Sequence, residues 1–220
     1  MIKSVIFDMD GLMFDTERLS TKGWIECGKE LGINIDVSFT NSFKGMSRMN
    51  SEKLFKEKFG KDFDYNNARK IRTEYILKYI EEKGVPVKKG LYELLKYLKS
   101  KNIKCAVATS TAKELAEIYF EKTNIREYIE AFVYGDSVPK GKPEPDIFLR
   151  AAEMMKEKPE NCLVFEDSPS GIRAGKNAGM TVVAVPDMIP LKGEILKLTD
   201  YCIGSLDIGI YIIDEICEIL

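Results

Sequence analysis

The 220-residue chain carries 33 Lys and Arg against 35 Asp and Glu, a formal net charge of −2. That balance leaves no dense basic face for nucleic acid, and 45% hydrophobic with 31% charged residues is the mix of a globular protein that buries its own core. There is no histidine, so a Ser-His-Asp or Cys-His catalytic unit and a His-based zinc site are excluded.

The five cysteines (Cys27, Cys105, Cys162, Cys202, Cys217) are scattered and form no C-x-x-C pair. They argue against a disulfide framework or a zinc ribbon and for a reducing compartment. No apolar stretch reaches the roughly 18 residues of a membrane helix, and Asp8 and Asp10 come too early to leave room for a signal peptide. The expectation is a cytoplasmic protein with neither nucleic acid nor membrane as partner.

Along the chain, Val5-Ile6-Phe7 is a short apolar run ending at Asp8 and reads as a buried strand. Residues 15–84 then read almost wholly as helix. Leu19, Trp24, Cys27 and Leu31 form one apolar face before Gly32. Leu54, Phe55 and Phe59 form another before Gly60, and Ala68, Ile71, Tyr75 and Tyr79 a third before Gly84. A glycine just past an amphipathic run is the usual C-terminal stop. Beyond residue 85, helical spacing at Leu91, Leu94, Leu95 and Leu98 leads into strand-like runs at 105–108, 131–134, 162–165 and 181–185. A further helical pattern lies at Ile147, Ala151, Met154 and Met155. Alternating strand and helix predicts an α/β fold, a doubly wound, Rossmann-like parallel sheet. The core is expected at 1–14 and 85–220, with an α-helical cap domain inserted at 15–84.

Ligands of an open parallel sheet bind at the carboxyl ends of its strands. Asp8 and Asp10 lie two apart, so in extended chain both carboxylates point to the same side, and Gly11 permits a sharp turn after them. Two such acids repel unless a cation or a shared proton relieves them. Glu166-Asp167-Ser168 ends another apolar run. Oxygen donors with no His or Cys favour a hard cation such as Mg²⁺, which suits a phosphate substrate. Thr109 and Ser110 offer hydroxyls and N–H groups at a helix start, and Lys142 can balance both Asp8 and the phosphate. Other patterns fail: Pro143 stands where a P-loop needs Ser or Thr, no G-x-G-x-x-G follows a strand, and Asp8-Met9-Asp10-Gly11 lacks calcium-loop spacing.

Asp8-Met9-Asp10-Gly11, Thr109-Ser110, Lys142-Pro143 and Glu166-Asp167-Ser168 resemble, in order and spacing, the four motifs of the haloacid dehalogenase superfamily. The stretch from Phe165 to Ile172 is similar to its phosphatase and phosphoglucomutase branch, and the helical insert falls where such proteins carry a small cap. The resemblance implies that Asp8 is the nucleophile at phosphorus and Asp10 the general acid and base. It implies Mg²⁺ held by Asp8, the Asp10 carbonyl and Asp167, with Glu166 as a further metal candidate. Thr109, Ser110 and Lys142 would hold the phosphoryl oxygens. Asp at the second motif position points to phosphoryl transfer rather than dehalogenation. In the cap, Lys44-Gly45-Met46-Ser47-Arg48 resembles a substrate-facing loop, in which Lys44 and Arg48 would close over a polar or anionic ligand.

The reading is a Mg²⁺-dependent phosphatase for a small phosphate ester, a phosphorylated metabolite such as a sugar phosphate. A sugar-phosphate mutase of the same branch is the alternative. Mutases of that branch typically carry a His early in the first cap helix, and Ser20 stands at the matching position here. A receiver domain phosphorylated on Asp is the rival from another class, but it would be about half this length and has no use for Asp10 as an acid.

Overall fold

The computed structural model describes every residue except 1, 45, 47, 189, 219 and 220, together with the backbone but not the side chain of residue 218. Six parallel strands form one sheet: β1 (Ser4–Phe7), β2 (Lys104–Thr109), β3 (Ala131–Tyr134), β4 (Cys162–Glu166), β5 (Thr181–Ala184) and β6 (Tyr201–Cys202). Their spatial order is β3-β2-β1-β4-β5-β6. The chain builds outward from β1 to β3, then returns to the other side of β1. A ligand crevice opens at such a switch point, above the carboxyl ends of β1, β2 and β4.

Alternate residues of β1 feed opposite layers, as period-two geometry requires. Val5 and Phe7 pack with Leu91, Leu94, Leu95, Leu98, Tyr119 and Phe120 on one face, while Ile6 packs with Ile147, Phe148, Ala151 and Ile172 on the other. The helices of these layers are α5 (Leu91–Ser100), α6 (Lys113–Thr123), α7 (Asp146–Met155), α8 (Pro169–Asn177), α9 (Glu194–Leu198) and α10 (Gly209–Glu218). No described helix is long and apolar enough to cross a membrane.

Between β1 and α5 lie four helices, α1 (Thr16–Leu31), α2 (Val37–Phe43), α3 (Arg48–Phe59) and α4 (Tyr65–Lys83). Gly32 ends α1 at φ 67°, a left-handed conformation that glycine adopts without strain. The insertion has its own aromatic core, in which Trp24 meets Phe43, Phe55 and Tyr65. It is not sealed off from the rest, because Leu19, Ile76 and Ile80 join the core cluster that contains Phe14. Its two connecting segments run side by side: Asp15 N–H donates to Pro86 O at 2.8 Å and Lys88 N–H to Met13 O at 2.9 Å.

Three expectations need correction. The sheet has a sixth strand, too short at two residues to show periodicity. The insertion has a fourth helix, α2, whose N-terminus is capped by the Asp36 carboxylate accepting from Phe39 N–H. Finally, β1 ends at Phe7, so alternation does not extend to Asp10, and its carboxylate takes a different direction from that of Asp8.

Candidate active site

Asp8 follows β1 directly, and its N–H donates to Phe165 O at 3.1 Å, which fastens the end of β1 to β4. Its side chain is buried and accepts a hydrogen bond from Lys142 Nζ. The same ammonium donates to Glu166 Oε1 at 2.5 Å. Glu166 is fully buried, and its other oxygen accepts from Ser168 N–H at 2.8 Å and Ser168 Oγ at 3.0 Å. Asp8, Glu166 and Asp167 each bring a carboxylate oxygen to within 4.8 Å of the others. Room for this crowd comes from two glycines. A Cβ on Gly11, where φ is +87°, would collide with Asp167 Oδ2, and one on Gly171 would collide with the Glu166 carboxylate.

Burial pushes the Asp8 carboxyl up to about 8, with Lys142 opposing and Glu166 and Asp10 adding to the rise. Burial, then Glu166 and Asp8, holds Asp167 well above the usual carboxylate range. For Lys142, burial favours the neutral amine, but Asp8 and Glu166 outweigh it and hold the ammonium above its ordinary value. Three clustered acids against one ammonium leave a surplus of negative charge. A hard divalent cation fits that surplus and that all-oxygen donor set.

Asp10 lies outside this trio. Its Oδ1 accepts from Thr16 Oγ1 at 2.5 Å, and its Oδ2 accepts from Thr111 Oγ1 at 2.7 Å and Thr109 Oγ1 at 3.5 Å. Thr109 is itself buried, and its Oγ1 accepts from Thr111 N–H at 3.0 Å. It therefore stands behind Asp10, while Ser110 and Thr111 line the open space in front of the acids.

That space is a chamber of about 420 Å³ between sheet and insertion. The core contributes Asp8, Asp10, Lys142 and Asp167, and the insertion contributes Glu17, Ser20, Trp24, Lys44, Arg69 and Arg72. Both cap cations named from sequence are on its wall. Lys44 Nζ lies 3.0 Å from Met188 Sδ, and Arg48 Nη2 donates to Asn66 Oδ1 at 2.7 Å. Gly45 and Ser47 of the same loop lie outside the described residues. Glu17 is pushed up to about 7 by burial first and by Asp10 second. Asp187, in the loop after β5, accepts from Arg18 Nη1 at 2.5 Å and Lys88 Nζ at 2.8 Å, tying α1 and a connecting segment to the core.

Thr16, Glu17, Arg69, Arg72, Thr111 and Asp187 all escaped the sequence reading. Thr111 had a signal, because it extends the hydroxyl run Thr109-Ser110 at a strand end. The others had none, since only tertiary folding brings α1, α4 and the β5 loop to the strand ends.

The comparisons with known proteins agree with this architecture. The family model described as haloacid dehalogenase-like hydrolase matches residues 5–185. A phosphorylated carbohydrates phosphatase of Thermotoga maritima is 32% identical over 180 residues, covering 81% of this chain and 82% of the relative. A beta-phosphoglucomutase of Bacillus subtilis is 33% identical over 204 residues, covering 89% of this chain and 88% of the relative. Among solved structures, a beta-phosphoglucomutase from Clostridium difficile superposes with a TM-score of 0.82 at 28% identity, covering 100% of this chain and 99% of that one.

Proposed function

The chain belongs to the haloacid dehalogenase-like hydrolase family, and from that premise we propose that it is a Mg²⁺-dependent phosphatase acting on a small phosphorylated metabolite, a sugar phosphate, through an aspartyl-phosphate on Asp8. The observation that carries this reading is the division of labour between two acids. Asp8 sits in the buried carboxylate trio beside Lys142, and Asp10 is held away from that trio by three threonine hydroxyls.

In the proposed first half-reaction an Asp8 carboxylate oxygen attacks phosphorus, and the ester oxygen leaves with a proton from Asp10. In the second, Asp10 takes a proton from water as its oxygen attacks the same phosphorus, releasing inorganic phosphate and regenerating Asp8. Lys142 and Ser110 are the groups available to the phosphoryl oxygens, the single O–H of Thr111 being given to Asp10. Asp8 and Asp167 would hold the cation. Both Glu166 oxygens already accept from Lys142 and Ser168, which supports a role in orienting Lys142. When bound, Mg²⁺ neutralises charge on the carboxylates and on the phosphoryl group in transfer. The helices between residues 15 and 84 serve as the cap, and their side chains choose the substrate.

Two findings favour a second reading, a sugar-phosphate mutase: the Bacillus subtilis relative and the Clostridium difficile structure are both beta-phosphoglucomutases. Against it, Ser20 lines the chamber where the resemblance leads one to look for a mutase histidine, and the chain has none. The test supplies β-glucose 1-phosphate, Mg²⁺ and a bisphosphate primer, and follows inorganic phosphate and glucose 6-phosphate together. Phosphate as the main product supports the phosphatase. Fast primer-dependent formation of glucose 6-phosphate with little free phosphate overturns it in favour of the mutase.

A further inference from the structure

The chamber is electrically lopsided in a way the catalytic reading does not use. Its core side carries Asp8, Asp10 and Asp167, and Glu17 and Asp187 also reach it. The wall built by α3 and α4 carries Arg48, Arg69 and Arg72 instead. Arg48 spends one nitrogen on Asn66. Among the described residues, neither Arg69 nor Arg72 has a salt bridge or a hydrogen-bond acceptor for its guanidinium, and the buried Nε of Arg72 has no partner. Other cations near the chamber and on the core do find acids, as Lys88 does with Asp187 and Lys176 with Asp200.

Arg72 is also held in place. The Arg72 guanidinium lies 5.4 Å from the ring of Trp24, whose side chain is fixed in the aromatic core of the insertion. Burial pushes Arg69 below its ordinary value, and Arg72 and Arg48 push it further, with Tyr65 opposing. Arg72 and Arg48 repel Arg69 in a sheltered wall where, among the described residues, neither Arg69 nor Arg72 forms a salt bridge, and that raises the free energy of the empty site. An anion delivered by the ligand removes that cost and gains charge-assisted hydrogen bonds, for which guanidinium forks suit phosphate and carboxylate.

We propose that Arg69 and Arg72 form a second anion subsite, so that the substrate is a phosphate ester carrying a further anionic group, phosphate or carboxylate, at the end remote from Asp8. This rests on the phosphatase reading and deepens it. The acids of the core and of α1 favour one orientation, because a second anion turned toward Glu17 and Asp187 meets repulsion. The proposed subsite lies on α4, beside the cations that the 44–48 segment brings to the same wall.

The experiment uses two matched pairs that differ in one anionic group: sorbitol 6-phosphate against 6-phosphogluconate, and fructose 1-phosphate against fructose 1,6-bisphosphate. With Mg²⁺ present, kcat/KM is measured for the wild type, Arg69→Gln, Arg72→Gln, the double variant and the two Arg→Lys variants, each checked for folding by circular dichroism. The wild type is expected to prefer the doubly anionic member of at least one pair by roughly ten- to a hundred-fold. Each Gln variant should bring that ratio to within about three-fold, and the Lys variants should keep part of it. No preference in either pair, or a preference that survives in the double variant, overturns the subsite. If the wild type hydrolyses none of the four compounds, the phosphatase reading has failed, and calorimetric binding of the same pairs to the wild-type protein decides the subsite alone. Equal affinities within each pair overturn it, and an arginine-dependent preference sustains it.

Discussion

Lys142 donates to Glu166 Oε1 at 2.5 Å with both side chains buried, the ammonium being shared with Asp8. The lysine is therefore the charge on which the acid cluster rests when no cation is bound. Replacing Lys142 by Met leaves buried carboxylates without their partner, a change that costs about 3–5 kcal/mol in comparable buried pairs. Urea denaturation in excess chelator should register that loss, and kcat with Mg²⁺ should fall by about 10²-fold or more. Near wild-type values in both measurements would contradict the assignment.

The two motif acids should fail differently. Asp8→Asn is expected to abolish turnover while the fold persists, since an amide is a poor nucleophile at phosphorus. Asp10→Asn should lose the proton-transfer contribution, about 10² to 10⁴ in rate. Thr111→Val removes one of the hydroxyls that hold Asp10, and kcat should drop by about ten-fold. Steady-state kinetics on one sugar phosphate compare all three, and full turnover by Asp8→Asn would reject the covalent route.

Stability should depend on pH with a definite sign. Asp8 is raised to about 8 and Glu17 to about 7 in the folded chain. The folded state therefore keeps protons that the unfolded chain releases near the ordinary carboxylate values, and stability falls as pH rises. For Glu17 the window runs from 4.5 to about 7, and for Asp8 from 3.8 to about 8. Tm in chelator should decline across pH 5 to 8, and Mg²⁺ should raise Tm most at the alkaline end, because it binds the ionised acids. Glu17→Gln should flatten the decline below pH 7. A Tm that does not respond to pH would count against this electrostatic account.

Arg18 reaches from α1 to Asp187 in the loop after β5. If the insertion moves as a cap, this pair is one of its tethers. Arg18→Ala should speed hydrogen exchange in α1 and in residues 85–88 and should leave exchange in β1 and β4 unchanged. Uniform exchange rates across the two proteins would mean that the pair holds nothing.

Much of this architecture was legible because its signals are local. Val5-Ile6-Phe7 and Cys162-Leu163-Val164-Phe165 are continuous apolar runs, and a strand buried on both faces needs nothing else. Asp8 and Asp167 stood out because strand ends are where an open sheet does chemistry, and Lys142 only as a cation to balance Asp8 and a phosphate. Val37–Phe43 escaped notice because seven residues with two buried side chains make a weak helical stripe, and a capping aspartate decides the matter. Arg69 and Arg72 carry no local signal that sets them apart from the other cations of the chain. Their meaning depends on the direction in which the insertion folds back over the sheet, which no spacing in the chain encodes.

The paired segments that join the insertion to the sheet also bear on how such a protein can change over evolutionary time. Phe14 bridges to Val87 in antiparallel fashion, so the chain leaves and rejoins the core through a single two-strand socket, about 5 Å wide as antiparallel neighbours are. A different module with closely spaced termini could be transplanted there without rethreading any strand. The graft would need to supply apolar side chains in place of Leu19, Ile76 and Ile80, which cover the cluster around Phe14. New selectivity could then arise by exchange of one cassette, while the phosphoryl-transfer apparatus at the strand ends stayed as it was.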